Sequence, residues 1–322
     1  MGDNINLYRD KIKQIVNGGH AFSLIKITEL VYAGIDSDGK AVIVCKSNRN
    51  STQQIRQRKK KLTLECNMCI QFEVDGKIMS SIAHIIKCDF SSEKEKEIFF
   101  DLCPLFIEAS TSENQVESFL ETVSILASFF ANTSEPSDNE LQGLFAELYA
   151  MFEYENDFDL ACFWQSRQRM TFDFSINDKY KIEVKSTIKN ERKHHFRHEQ
   201  LRNDPYVVYV LSYMMRHDDQ GLSLLDLIDT VKPKLLYDVR KLMAVDKVLK
   251  NASIERLKEF RFNIDYIEQK KAIYRATDIP KFDGPAPSGV TNTEYDCNLD
   301  CAPPMERDTF IREVLEIING NL

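Results

Sequence analysis

Two carboxylates and a lysine lie close together in one short stretch of the sequence and could hold a metal ion. Residues 171–187 read TFDFSINDKYKIEVKST, and the charged side chains of interest are Asp173, Glu183 and Lys185. Carboxylate oxygens are preferred ligands of hard divalent cations such as Mg²⁺, and a cation held in this way can activate a bound water. A lysine beside it can offset negative charge that develops during a reaction. On spacing alone, however, Glu-x-Lys on a strand is usually a solvated face.

The flanking residues predict the strands that must position these side chains. Two segments rich in aromatic and β-branched residues, 171–176 and 180–185, flank the tripeptide NDK, which predicts a strand, a turn and a second strand. The period of two places Glu183 and Lys185 on one face of the second strand. Asp173 is expected in the middle of the first strand, where a carboxylate is costly unless a charged group lies beside it. We therefore expect the three side chains to converge.

A helix ahead of these strands supplies a third carboxylate. Ser137 and Glu140 match a capping box, in which a hydroxyl and a carboxylate satisfy first-turn amides. An apolar stripe with a period of 3.6 follows and predicts a helix. The stripe consists of Leu141, Leu144, Phe145, Leu148, Tyr149 and Phe152. Glu147 lies at its edge, and is either solvated or directed into a site shared with the strands.

Two basic segments could contact the phosphates of a nucleic acid. Residues 189–202 read KNERKHHFRHEQLR and are interpreted as basic surface, because the adjacent histidines have no partner cluster that would complete a metal site. Residues 55–61 read IRQRKKK and are either a solvated loop or a phosphate-backbone contact. The apolar run 206–214 predicts a strand buried on both faces. The residues expected to bind nucleic acid are Arg192, Lys193, Arg197, His198, Arg56, Arg58 and Lys59.

Composition restricts the class of protein. The chain has 322 residues, of which 43% are hydrophobic, and can bury a sizeable core in two domains or in one elaborated domain. No run approaches about 18 consecutive apolar residues and the first residues are polar, so we expect a cytoplasmic protein without a membrane span. The net charge of −8 means that any nucleic-acid contact must come from local basic patches.

The eight cysteines are expected to be reduced, and most of them to be small core residues. Cys66 and Cys69, together with Cys297 and Cys301, could be read as a four-thiolate zinc site. The first pair lies in an alternating strand, where a spacing of three sends the thiols to opposite faces. Zinc is therefore not expected.

The order of the predicted elements divides the chain into three parts. Residues 1–133 are expected to form a β-rich α+β module with an amphipathic helix at 5–17, and this module could serve DNA recognition or dimerisation. Residues 134–216 hold the helix, the hairpin, a short helix and the buried strand. Residues 217–322 are expected to add two helices at 223–231 and 235–250 and a β-hairpin at 260–277, whose order is compatible with a winged helix.

These residues together resemble the PD-(D/E)XK nuclease core. A glutamate on a capped helix, an aspartate in a hydrophobic strand and Glu-Val-Lys in the next strand are similar to its motif. Through most of its length the chain resembles a bacterial family known as PD-(D/E)XK motif proteins, found near restriction and phage-defence genes. The segments that carry the resemblance are GLFAEL at 143–148, Trp164 ahead of FDF, IEVKST at 182–187, HEQL at 198–201, GLSLLDLI at 221–228, IPKF at 279–282 and GVTNTEYDCNLD at 289–300. One departure is Phe172, which stands where the motif has proline.

The resemblance implies a fold and an activity. The fold is a restriction-endonuclease-like one of the α+β or α/β class, with an αβββαβ core. The activity is a Mg²⁺-dependent DNA endonuclease of restriction or phage-defence type, in which Mn²⁺ can replace Mg²⁺. The implied partners are DNA, a second copy of the chain and other subunits of a defence system, and no membrane is involved.

The resemblance also assigns roles to residues. The implied metal ligands are Asp173, Glu183, the carbonyl of Val184 and Glu147. The implied catalytic residues are Asp173, Glu183, Lys185, Glu147 and Gln200. In this scheme Lys185 orients the attacking water. Gln200 occupies a position similar to a helix glutamine that some members of the superfamily carry near the site.

Two other functions stay open at this point. The chain could be a catalytically silent or partner-dependent DNA-binding subunit of a defence complex, although a degenerate core commonly loses a carboxylate or the lysine and this chain retains them. It could also be an RNA-cleaving nuclease, which would use the same chemistry. The acidic net charge disfavours extensive contacts with an RNA backbone.

Overall fold

The computed structural model describes most of the chain in two compact units. The described residues are 22–48, 53–74, 76–89, 93–131, 134–165, 171–202, 205–235, 238–282, 284, 289–290 and 292–320. The units comprise Met1–Ser134 and Glu135–Leu322. The helix expected at 5–17 lies outside the described residues. Among the described helices, none has the length and apolar character that crossing a membrane requires.

The first unit is a β-sheet that closes on itself, with helices on its outer face. Its strands are β1 (Phe22–Lys26), β2 (Val31–Asp36), β3 (Ala41–Lys46), β4 (Ile55–Lys59), β5 (Leu62–Val74) and β6 (Lys77–Cys88), and its described helices are α1 (Glu93–Asp101), α2 (Cys103–Thr111) and α3 (Gln115–Ala131). The strands follow the order β1-β2-β3-β6-β5-β4 in antiparallel pairs. β1 also pairs in parallel with the far end of β5. The closed sheet surrounds an apolar cluster that includes Tyr32, Val42 and Phe72.

The expectation that residues 55–61 form a loop is wrong. Residues 55–59 form β4, which pairs with β5 from Ile55↔Cys66 to Lys59↔Leu62. The exposed side chains alternate with half-buried ones along β4. This period of two is present in IRQRK, but the charged composition concealed it.

The second unit is a mixed α+β structure. Its elements up to the central strand are α4 (Asp138–Glu153), β7 (Phe174–Ser175), β8 (Tyr180–Thr187), β9 (Lys193–Arg197), α5 (His198–Leu201) and β10 (Val207–Met214). The later elements are β11 (His217–Ser223), α6 (Leu224–Val231), α7 (Val239–Asn251), α8 (Ile254–Glu259), β12 (Arg261–Phe262), α9 (Ile264–Lys270), β13 (Ala272–Arg275), β14 (Glu294–Asn298) and α10 (Arg307–Ile318). Short 3₁₀ turns lie at Leu160–Phe163, Lys232–Leu235 and Leu299–Cys301.

A four-stranded sheet forms the centre of the second unit, in the order β13-β10-β8-β7. β8 and β10 are parallel over their full lengths, from Tyr180↔Val207 to Thr187↔Met214. Seven of the eight residues of β10 are buried, which confirms the expected central strand. β9 lies outside this sheet and pairs with β14 instead. The α+β class is confirmed, whereas the finer αβββαβ core topology stays a proposal.

The C-terminal part of the chain belongs to the same unit. Phe145 of α4 and Phe310 of α10 lie in one hydrophobic cluster. The division of the chain into three domains stays a prediction.

The β-hairpin expected at 260–277 is wrong, because α9 separates β12 from β13 and the two strands lie in different sheets. The Oδ1 atom of Asn263 accepts a hydrogen bond from the amide of Tyr266 at 2.8 Å and so caps this helix.

Candidate active site

Glu147 is positioned by the capped helix α4. The predicted capping box is present: the hydroxyl of Ser137 accepts from the amide of Glu140 at 3.3 Å, and the Glu140 carboxylate accepts from the amide of Ser137 at 2.8 Å. The apolar face of α4 packs into the core and leaves Glu147 half-buried at its edge. The indole N–H of Trp164 donates to Glu147 Oε2 at 2.6 Å. Glu147 is therefore held by a protein donor and is not freely solvated.

Asp173 lies just before the first strand of the hairpin. The expected strand 171–176 is reduced to the two residues of β7, so the prediction that Asp173 lies in mid-strand is wrong. Asp173 is instead fixed by its neighbours: its backbone carbonyl accepts from the Gln165 amide at 2.7 Å, and its Oδ2 atom accepts from the Val184 amide at 2.7 Å. This side-chain bond ties Asp173 to the middle of β8.

β8 brings Glu183 and Lys185 to the same face, as the period of two predicts. Lys185 Nζ lies 2.7 Å from Glu183 Oε1, and the Glu183 side chain is 4% exposed. Val184, between them, packs its side chain into the core on the opposite face. Lys185 Nζ also lies 5.0 Å from the centre of the Phe196 ring, a cation–π contact that helps to orient the ammonium group.

Gln200 connects the short helix α5 to this pair. Its Nε2 atom donates to Glu183 Oε1 at 2.6 Å and to the carbonyl of Thr171 at 2.9 Å. Its Oε1 atom accepts from Lys185 Nζ at 3.3 Å and from the amide of Arg197 at 3.0 Å. Gln200 thus fixes the direction of both charged side chains and is itself buried.

Burial raises the pKa of all three carboxyl groups. The pKa of Glu183 rises to about 8, first because of burial and then because of the nearby charge of Asp173, while Lys185 lowers it. Burial likewise raises the pKa of Asp173. The pKa of Glu147 is raised well above its usual range by burial and by the charges of Asp173 and Glu183. The three carboxyl groups therefore share one electrostatic environment.

The donor set fits a hard divalent cation. Glu183 Oε2 is buried without a hydrogen-bond partner, so it could bind a cation without losing a protein contact. A cation would also offset the repulsion among the carboxylates. In the described chain, however, no group of three or more His, Cys, Asp or Glu side chains is spaced to hold a metal. The Trp164 indole and the Val184 amide hold two of the carboxylate oxygens in the present arrangement.

Trp164 is the residue at this site to which the sequence assigned no role. It follows the 3₁₀ turn Leu160–Phe163 and forms an antiparallel bridge with Phe174 of β7. This bridge directs the indole towards Glu147. The sequence contained a signal for such a role, because Trp164 is the one tryptophan of the chain and lies shortly before Asp173. Its partner on α4 could not be read from spacing along the chain.

Two of the expected nucleic-acid contacts lie exposed on β9. Lys193 and Arg197 have side chains that are about half exposed. β14 pairs with β9 and places acidic side chains opposite them: Lys193 Nζ is 3.8 Å from Asp296 and Arg197 Nε is 3.5 Å from Glu294. The positive charge of this strand is therefore partly neutralised by its neighbour.

The prediction that segment 189–202 is basic surface is wrong for three of its residues, Arg192, His194 and His198, which are buried. The Arg192 guanidinium donates to the hydroxyl of Ser212 at 2.8 Å and to its carbonyl at 3.0 Å. His194 Nε2 lies 2.8 Å from the same hydroxyl. The strand places alternate side chains inside the protein, and the even-numbered basic residues fall on that side.

His198 also has partners inside the unit. Its Nδ1 atom lies 3.2 Å from the Tyr295 hydroxyl, and its Nε2 atom lies 3.2 Å from the Gly284 carbonyl. With both ring nitrogens engaged, His198 holds the chain near β14 against α5. A contact between its imidazole and a phosphate is not supported by this placement.

In the first unit, the expected nucleic-acid residues divide between the two faces of β4. Arg56 and Arg58 are exposed on one face, and Arg56 forms an ion pair with Glu65. Lys59 points to the other face, where its Nζ atom lies 3.4 Å from the hydroxyl of Ser124 on α3. The three residues therefore do not form one surface.

One known protein family matches most of the chain. Residues 19–300 match the family described as "Putative PD-(D/E)XK family member, (DUF4420)", which is most of the chain. The chain belongs to the DUF4420 family. No match was found among curated proteins, and none among solved structures.

Membership of DUF4420 confirms the resemblance to the PD-(D/E)XK superfamily and supports a nuclease-type fold. The range shared with DUF4420 contains all four charged residues of the site. Within it, Glu183-Val184-Lys185 meets the (D/E)XK pattern for which the superfamily is named. The association with defence genes stays a prediction.

Proposed function

We propose that this protein is a Mg²⁺-dependent endonuclease that hydrolyses phosphodiester bonds of DNA, of a restriction or phage-defence type. The observation that carries the proposal is the state of Glu183. Its carboxyl group is buried, one oxygen faces Lys185 at 2.7 Å and the other has no partner. Leaving a buried carboxylate oxygen without a partner is costly, so the arrangement is understandable if the oxygen serves a cation.

The proposed ligands are Asp173, Glu183, the carbonyl of Val184 and Glu147. Mn²⁺ would substitute for Mg²⁺, since both prefer oxygen ligands. Such a metal supplies Lewis-acid stabilisation of the phosphate and lowers the pKa of a bound water. Trp164 keeps Glu147 directed towards the other carboxylates through its hydrogen bond of 2.6 Å.

Lys185 and Gln200 provide the remaining machinery. The ammonium group of Lys185 can hold the attacking water by hydrogen bonding and offset the charge that develops on the phosphate. Gln200 is a positioning residue, because it contacts both Glu183 and Lys185 through one side-chain amide. A preorganised pair of this kind needs little rearrangement during the reaction.

The proposed DNA contacts close to the site are Lys193 and Arg197. Both are exposed, and contacts of lysine and arginine to phosphates give affinity without sequence choice. Their acidic partners on β14 would have to give way to a phosphate. Arg192 and His198 are omitted from the proposed contacts because they are buried.

A plasmid-nicking assay tests the proposal. Wild type is compared with Lys185→Ala in Mg²⁺, Mn²⁺ or EDTA, and Lys181→Ala is the matched control, since Lys181 lies on the same face of β8 but bonds to Ser175 and Asn177. We expect metal-dependent cutting that Lys185→Ala loses and Lys181→Ala keeps. A single-stranded RNA substrate forms a parallel arm, and cutting of RNA alone would favour the RNA-cleaving alternative.

A partner-dependent DNA-binding subunit is the second candidate. It is favoured by one observation: in the described residues no trio of metal-ligating side chains is already spaced for a metal. Thermal unfolding with and without Mg²⁺ separates the two candidates. An enzyme with this site gains stability in Mg²⁺, whereas a silent subunit binds DNA without that gain and without cutting.

A further inference from the structure

The first unit contains a pocket of about 390 Å³ at one mouth of its closed sheet. Its lining includes Lys40, Arg58, Lys60, Thr63, Lys87 and Asp89. The volume lies within the range of small-molecule sites, roughly 300–1,000 Å³. The pocket belongs wholly to the first unit and contains none of the residues of the candidate active site.

The strand register places three donors in a row across the floor of the pocket. Arg58 of β4 is opposite Thr63 of β5, and Thr63 is opposite Lys87 of β6. Directly opposite residues of antiparallel strands lie about 4.5–5.5 Å apart and share a face. A guanidinium, a hydroxyl and an ammonium group are thus set side by side, and an anion between them would meet all three.

The charges in this pocket are only partly balanced within the protein. Arg56 pairs with Glu65, and Lys40 lies 3.5 Å from Asp89. Lys87 makes a longer contact of 4.0 Å with Glu65, and its Nζ atom lies 5.3 Å from the centre of the Phe22 ring. Two cations remain without an acidic partner within 4.0 Å among the described residues, Arg58 and Lys60. The lining holds six basic and four acidic side chains, and its two uncommitted cations suit it to an anion.

Lys60 adopts a backbone conformation that is unusual for lysine. It occupies the first central position of the two-residue turn between β4 and β5, with φ of 42°. Glycine is favoured at this position of such a turn, because it reaches positive φ without a steric cost. Lysine here adds a charge at the rim of the pocket at the expense of local strain.

We propose that this pocket binds the phosphate group of a nucleotide, either free or at a nucleic-acid strand. Arg58 offers a planar fork that can bind a phosphate through two parallel hydrogen bonds, and Lys60 and Lys87 add point charges. Asp38 and Asp89 at the rim would accept hydrogen bonds from the sugar or the base, which inorganic phosphate lacks. The proposal extends beyond DNA cleavage and does not depend on it.

Fluorescence anisotropy of the full chain in EDTA tests the proposal without cleavage. The probe is a 5′-phosphorylated ten-nucleotide DNA strand with a 3′ fluorophore, and the competitors are AMP and inorganic phosphate. Arg58→Gln and Lys60→Gly each remove one charge, and Lys77→Ala removes an exposed charge from the other end of the β5–β6 hairpin. Lys60→Gly is expected to keep the melting temperature, since glycine suits its φ.

We expect both pocket variants to raise the Kd by about tenfold and Lys77→Ala to leave it within about twofold. Competition by AMP that depends on Arg58 would assign the site to a nucleotide monophosphate. If AMP does not compete, strands with a 5′ phosphate and with a 5′ hydroxyl are compared. Equal Kd values that both depend on Arg58 would assign the pocket to an internal phosphodiester of the strand. Variants that bind the strand as tightly as wild type, or a loss in Lys77→Ala that equals theirs, would overturn the proposal. Nicking activity is a separate readout and can fail on its own.

Discussion

Lys185 contacts only one of the two oxygens of the buried Glu183 carboxyl group. The Nζ atom lies 2.7 Å from Oε1, and Oε2 is buried without a hydrogen-bond partner. One lysine does not fully compensate this carboxyl group, because its pKa is still raised to about 8 by burial and by Asp173. Binding of a divalent cation should therefore release a proton from Glu183 near neutral pH.

Glu183→Gln should preserve the fold and remove the metal response. At pH 7 the carboxyl group of metal-free protein is mostly protonated, so an amide of the same shape should change the unfolding free energy by less than about 1 kcal/mol. DNA cleavage should fall by about 100-fold or more. Thermal unfolding without Mg²⁺ measures the stability of the variant, and its change on addition of Mg²⁺ measures the metal response. The exposed Glu199→Gln is the control, and a Mg²⁺-induced stabilisation that survives in Glu183→Gln would contradict the assignment.

Asp173 requires a more careful substitution than alanine. Its Oδ2 atom accepts the hydrogen bond of the Val184 amide, so Asp173→Ala would leave a buried N–H unpaired at a cost of about 1–3 kcal/mol. Asp173→Asn can keep this acceptor and remove the charge. We expect cleavage to be lost in both variants, with a lower melting temperature only in the alanine variant. Mg²⁺-dependent cutting by a folded Asp173→Asn protein would remove Asp173 from the site.

The local signals in the sequence predicted α4, β8 and β10, but they made the first strand of the hairpin too long and did not indicate β9. The capping box at Ser137 and the period of two in β8 are both formed as expected, because each depends on residues close together in the chain. The buried strand β10 is also formed. Short-range patterns of this kind are set by backbone hydrogen bonding and by which face is apolar, so one sequence is sufficient to reveal them.

Contacts between distant residues could not be predicted in the same way. The pairing of β9 with β14 joins residues about a hundred positions apart, and spacing along the chain does not indicate it. The bond between Trp164 and Glu147 likewise depends on how a turn packs against α4. Composition showed that segment 189–202 is basic, but its period of two is what separates inner from outer side chains.

Trp164→Phe should shift the pH dependence of cleavage to higher pH. Burial and the neighbouring Asp173 raise the pKa of Glu147, and the indole hydrogen bond opposes them, so its loss should raise that pKa further. A higher pH is then needed to ionise Glu147. The pH–rate profile of nicking measures the shift, and Glu147→Gln, which has no carboxyl group, is the comparison. A lowered rate with an unshifted profile would indicate that Trp164 has only a structural role.

Lys193→Gln combined with Arg197→Gln should weaken DNA binding and reduce its salt dependence. If both residues contact phosphates, the slope of log K against log salt should decrease by about 1.8 for duplex DNA. Glu294→Gln is the opposite test, because Glu294 lies 3.5 Å from Arg197 and 3.2 Å from His195. Removal of the negative charge of Glu294 should tighten DNA binding. Filter binding or anisotropy over a salt series measures all three proteins, and identical slopes would place the DNA elsewhere.

The buried His194 should make the protein less stable in acid. Burial, together with the charges of Arg192 and Lys185, lowers the pKa of His194 from 6.5 to about 3. Between these two values the unfolded chain binds a proton that the folded chain does not. The unfolding free energy therefore falls as the pH drops below about 6.5, by about 2 kcal/mol at pH 5 from this residue.

His194→Gln should remove most of this acid sensitivity, and urea unfolding at pH 8 and pH 5 would measure it. Glutamine keeps a polar atom near the Ser212 hydroxyl. We therefore expect the substitution to lower the unfolding free energy at pH 8 by less than the change from pH 8 to pH 5 lowers that of wild type. His195 is the matched control, because the hydrogen bonds that its imidazole donates to Asp296 and Glu294 raise its pKa, so its contribution to stability has the opposite pH dependence. His195→Gln should lose a stabilising contribution that is present at pH 5 and declines as the pH rises. If the unfolding free energy of wild type and that of His194→Gln changed equally between pH 8 and pH 5, His194 would not be the group responsible for the acid sensitivity.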